Sequence, residues 1–116
     1  MIKTFFVTTA VLVTATAQAA AAQGKCLLEV NGHAYIKGAC KIEVSKDGSF
    51  DIGTGGQSAY FAYVNLDEPL QARARQTAEG FWNGEHGESH AHTPLGTLTR
   101  DGACWSNQTA KVCAWR

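Results

Sequence analysis

The chain has 116 residues with ten basic and ten acidic side chains, so its formal charge is zero. That balance excludes nucleic-acid binding driven by net positive charge, and the length leaves room for one ordinary domain rather than two. Large apolar side chains are few, so a domain this small needs staples beyond its core, and four cysteines are available as such.

The first element is an export signal over residues 1–22. Met1-Ile2-Lys3 is a short basic start, Phe5 to about Ala15 is an apolar run, and Ala17–Ala22 holds the small residues a signal peptidase accepts. The run is too short to span a bilayer. Its removal leaves residues 23–116 as a single domain, with no membrane span and a charge of −1 because Lys3 departs. The expected location is the periplasm. There an even cysteine count predicts disulfides. Of the three pairings four cysteines allow, the two local ones, Cys26–Cys40 and Cys104–Cys113, are expected.

Alternation and turn residues then dominate the chain. The fold class expected is all-β: a small antiparallel barrel or sandwich of about eight short strands, stapled by the two disulfides. Asn31-Gly32 reads as a two-residue hairpin turn, which sets Leu28 opposite Tyr35 and Leu27 opposite Ile36. In the next hairpin a three-residue loop, Lys46-Asp47-Gly48, opposes Val44 with Phe50 and Ile42 with Ile52, with Gly48 in the left-handed region. Residues 53–59 form a glycine-rich loop. Tyr60–Leu66 reads as a buried strand that Asp67-Glu68-Pro69 ends. Gln71–Gln76 places Ala72 and Ala74 on one face and Arg73 and Arg75 on the other. Phe81-Trp82-Asn83 is a short strand. At the end, an Asp101-Gly102 turn would oppose Leu98 with Trp105. A Gln108-Thr109 turn would oppose Trp105 with Val112 and, on the other face, Cys104 with Cys113.

Glu85-His86-Gly87-Glu88-Ser89-His90-Ala91-His92 is the densest polar segment. His86, His90 and His92 offer zinc or copper ligands as an alternative reading; a polar recognition loop and a merely structural, solvated loop are the others. Pairing removes the cysteines as nucleophiles and no Gly-x-Ser-x-Gly occurs, so no catalytic residue, enzyme activity or cofactor is expected. Arg73 and Arg75 are candidate forks for carboxylates. Trp105 is assigned to the core, Trp115 to a place beside the outer disulfide, and Trp82, next to the polar loop, to a binding surface.

Two strings carry a family resemblance. Gly56-Gln57-Ser58-Ala59-Tyr60 is similar to the Ser-Gly-x-x-Tyr region of bacterial periplasmic inhibitors of c-type lysozyme, without the glycine after the serine. Phe81-Trp82-Asn83-Gly84-Glu85 resembles their later Phe-Trp-x-x-Gly-x-Glu stretch. The resemblance implies a binding protein that lays a loop into the cleft of a lysozyme-like peptidoglycan hydrolase and engages its catalytic carboxyl groups. The binding residues it implies are Ser58, Tyr60, Trp82 and Glu85. Arg73 or Arg75 would replace a basic residue that the family carries and this chain lacks. A structural protein that binds peptidoglycan directly is a further alternative.

Overall fold

A computed structural model describes residues 22–54, 59–70 and 75–116. The expected leader therefore lies outside the described residues except for Ala22. Eight strands follow in chain order: β1 Ala22–Val30, β2 His33–Val44, β3 Phe50–Ile52, β4 Ala62–Leu66, β5 Thr77–Trp82, β6 Thr93–Asp101, β7 Cys104–Ser106 and β8 Ala110–Trp115. Each pairs antiparallel with the next, and β8 returns to β1, so the sheet closes into an up-and-down barrel. Closure removes the sheet edges that an open sandwich would expose. No helix occurs among the described residues.

The wall is one layer thick, so one face of each strand meets the core and the other meets water. Leu28, Ile42, Ile52, Val64, Leu98 and Val112 are fully buried within it, with Trp82 and Trp105 filling the space that few aliphatics leave. The Tyr60–Leu66 segment consequently alternates instead of being buried throughout. Ala62 and Val64 point in, while Tyr63 and Asn65 are exposed. Gly80 faces the core where a Cβ would meet Leu98 Cδ1 at 2.7 Å and Leu95 Cβ at 3.0 Å, so only a hydrogen fits there.

Both disulfides form as expected, Cys26–Cys40 and Cys104–Cys113. The first lies on the inner face, where Cys26 and Cys40 are buried with the core. The second clamps directly paired residues on the outer face. The β2–β3 hairpin has the expected register and loop, with Gly48 at φ 96°, although Val44 is exposed at the barrel's end. The β7–β8 turn also pairs Trp105 with Val112.

Two registers differ. The Asn31-Gly32 turn pairs Val30 with His33 and Glu29 with Ala34, but Leu28 then pairs with Ile36, leaving Tyr35 as an extra residue. This β-bulge lets Tyr35 and Ile36 both pack on the core. A second bulge makes Leu95 the extra residue of β6, between the pairs Gly80–Gly96 and Phe81–Pro94. Leu95 is buried, and its neighbour Pro94 sits where a missing N–H is tolerated. The last difference is the β6–β7 turn. Asp101 pairs with Cys104 and Arg100 with Trp105, so the loop is Gly102-Ala103, not Asp101-Gly102. Gly102, at φ 62°, takes the first loop position.

Candidate functional site

The connections on either side of β5 lie at opposite ends of the barrel. At one end are the Asn31-Gly32 turn, residues 53–54 and 59–61, residues 83–92 and the β7–β8 turn. This loop end is organised by Asn83, which is only 3% exposed. Its Nδ2 lies 2.8, 3.0 and 3.1 Å from the carbonyls of Ala59, Glu85 and Glu88, and its Oδ1 accepts the Phe61 N–H at 3.1 Å. The backbone reinforces the join, with Gly87 N–H donating to Ala59 O at 3.0 Å and Asn83 N–H to Phe61 O at 3.2 Å. One carboxamide thus satisfies main-chain groups of two loops at once, where no strand partner is available.

Beneath these loops lies a group of rings. Tyr35 meets Trp82 at 4.6 Å and Tyr60 at 5.1 Å between centroids. His33 lies against Tyr35 at 4.5 Å, and His86 lies edge-on to Tyr60 at 5.7 Å. Edge-to-face contacts of this kind add to the burial of the rings. The bulge at Tyr35 is what brings its ring to the cluster. Trp82 is 6% exposed, so it belongs to the core rather than to a binding surface. Its neighbour in sequence faces the polar loop, but its own place on β5 points inward.

The polar loop is exposed from Glu85 to His92 apart from Ala91. A carboxylate oxygen of Glu88 accepts the N–H groups of Ser89 at 3.0 Å and His90 at 3.3 Å, and lies 3.6 Å from the His90 ring. The His90 and His92 rings stack at 5.1 Å. Glu85, Glu88, His90, His92, Asn83 and Thr93 line a concavity of about 320 Å³. His86, turned to Tyr60, is not in it. The three histidines are therefore split, and among the described residues no group of three His, Cys, Asp or Glu side chains is placed to hold a metal ion.

Of the residues implied by the resemblance, Tyr60, Trp82 and Glu85 share the loop end. Ser58 and Arg73 lie outside the described residues. Arg75 is exposed just before β5 begins, at the opposite end of the barrel from Glu85. It does not join the others, because β5 runs between them. The residue that sequence reasoning missed is Asn83. Its signal was its place: a polar residue directly after an apolar strand and before Gly84. Tyr35 was missed because a bulge displaces it.

Two groups on the outer face of β3 and β4 have displaced acidities. Burial raises the pKa of Asp51, against the lowering effect of the Thr54 hydroxyl that bonds to it, and nearby Glu43 adds to the rise. Burial likewise raises Tyr63, with Asp51 and Glu43 contributing. Neither belongs to the loop end. Comparison of the chain with protein-family models, characterised proteins and solved structures returns no match.

Proposed function

We propose that the chain is an exported binding protein that inhibits a lysozyme-like peptidoglycan hydrolase through its loop end. The observation that carries the reading is the Asn83 clamp, which holds residues 59–61 and 85–88 together on a closed, disulfide-stapled barrel. A loop fixed before binding loses little conformational entropy on entering a cleft. The clamped loop carries hydrogen-bond donors suited to catalytic carboxyl groups, the imidazoles of His86, His90 and His92, while Ser58 immediately precedes the clamped Ala59. The part implied for Arg75 falls away at this end, since Arg75 sits at the other.

The test is the clearing of a cell-wall suspension by lysozyme with and without the protein. Inhibition is expected, and Asn83→Ala is expected to weaken it more than an exposed substitution at the opposite end, such as Arg75→Ala. Unchanged clearing rates with lysozymes of several types would sink the proposal.

A further inference from the structure

The outer faces of β8, β1 and β2 form one continuous wall, because β1 pairs with both neighbours. Alternation sends Lys25 and Leu27 of β1 outward, together with Lys37 and Lys41 of β2 and Lys111 and Trp115 of β8. Among the described residues, only Lys46 of the lysines lies elsewhere. Two of the four wall lysines have an acidic neighbour there. Lys41 lies 3.7 Å from Glu43, and Lys111 stands across from Glu29. Lys25 and Lys37 make no ion pair among the described residues. Beyond β2, Asp51 on β3 and Glu79 on β5 point outward, and the charge of Lys41 acts on Asp51.

Beside Lys25, on the side away from Lys37, lies an exposed indole. Trp115 is 45% exposed and pairs directly with Lys25, whereas Trp82 and Trp105 are 6% and 4% exposed. Lys25, Leu27, Lys37 and Trp115, with Cys26 and Gly38, line an open concavity of about 420 Å³. Trp115 is not required to seal the core. Nearly half of it faces water. An open aromatic face beside two unpaired point charges suits a ligand with an apolar ring face and a compact anion. A neutral ligand would gain nothing from the ammonium groups, which stay hydrated at the rim, whereas an anion would add their attraction to the stacking. A long polyanion would find only two unpaired lysines on a domain of near-zero charge.

We propose that this wall binds an acidic saccharide, its sugar ring stacked on Trp115 and its carboxylate held between Lys25 and Lys37. The site is on a different face from the Asn83-clamped loops, so it stands or falls separately from hydrolase inhibition. The test is calorimetric titration of the protein with the disaccharide N-acetylglucosamine–N-acetylmuramic acid, whose lactyl group is a carboxylate, and with uncharged chitobiose. Saturable binding of the acidic disaccharide is expected, weakening as salt is raised, with chitobiose at least about tenfold weaker. Trp115→Ala should abolish the binding, and Lys25→Gln with Lys37→Gln should weaken it at least about tenfold. Both variants should leave any inhibition of lysozyme unchanged. The lysines are exposed, so the double variant keeps its fold, which circular dichroism verifies. Absence of saturable heat with the acidic disaccharide, equal affinity for chitobiose, or undiminished binding by the double lysine variant would overturn the proposal.

Discussion

The two sides of this barrel are held by different chemistry. On β7, β8, β1 and β2 the wall is cross-linked, with one disulfide inside and one outside. On β4, β5 and β6, which face that wall across the core, there is no cross-link, and β5 ends instead in a buried carboxamide at each side. Gln76 and Asn83, at 8% and 3% exposure, are the buried polar residues among those described. They are not equivalent. Asn83 bonds only to main chain and ties two loops together. Gln76 accepts from Arg100 Nη1 at 3.0 Å and reaches Pro69 O at 3.4 Å. The lesson is one of division. Covalent staples hold the side opposite the loop clamp, and a single short side chain orders the loops that are proposed to bind a partner.

The largest effect should come from breaking the cross-linked side. Each disulfide closes a short loop and contributes about 3 kcal/mol by chain entropy, so reducing both removes a large part of the ~5–15 kcal/mol of a small domain. Loss of near-UV circular dichroism and of the melting transition on reduction is expected. An unaltered melting point in reductant would refute the division. Asn83→Ala should come next, at about 3 kcal/mol, because it leaves several buried main-chain groups without partners. It should also speed hydrogen exchange at Phe61 and Gly87 ahead of the rest of the barrel. Gln76→Ala should cost about 1 kcal/mol in a denaturant midpoint measurement, since the Arg100 guanidinium is exposed and can turn to water. If Gln76→Ala proved the costlier of the two, the ranking of the ends would be reversed.

The smallest effect is a matter of pH. Burial raises Asp51 above its ordinary 3.8, so ionisation disfavours the folded state. Its favourable contribution is complete below the unfolded value and is lost as pH rises through the folded one. Asp51→Asn should therefore raise the melting temperature slightly at neutral pH, with the gap closing as pH falls below 3.8. A gap that persists in acid would assign the effect to packing instead.

Much of this was legible in the residues because it is local. Asp47-Gly48 and Gln108-Thr109 fix the hairpins that they join, and the hydrophobic alternation on either side selects one register. The same register laid Cys104 against Cys113. The β6–β7 turn shows where alternation stops being informative. Moving the register by two residues keeps Trp105 on the inner face, so the pattern fits Leu98 or Arg100 as its partner equally well. The choice falls to the turn geometry and to the closure of the whole sheet.

What the sequence by itself determined was therefore the all-β class, the β2–β3 and β7–β8 hairpin registers, the facing of Cys104 and Cys113 and the inner face of most strands, all set by period-two alternation and short turns, while the choice of a closed barrel over a sandwich was left open. The tertiary structure decided the rest. It inserted Tyr35 and Leu95 as bulges and buried Trp82 beneath the loops. It joined Asn83 to Phe61, 22 residues away along the chain, and so brought residues 59–61 and 85–88 together. It also left Lys25 and Lys37 unpaired beside Trp115. Each of these depends on which strands become neighbours when the barrel closes, a long-range condition that no local pattern of side chains encodes.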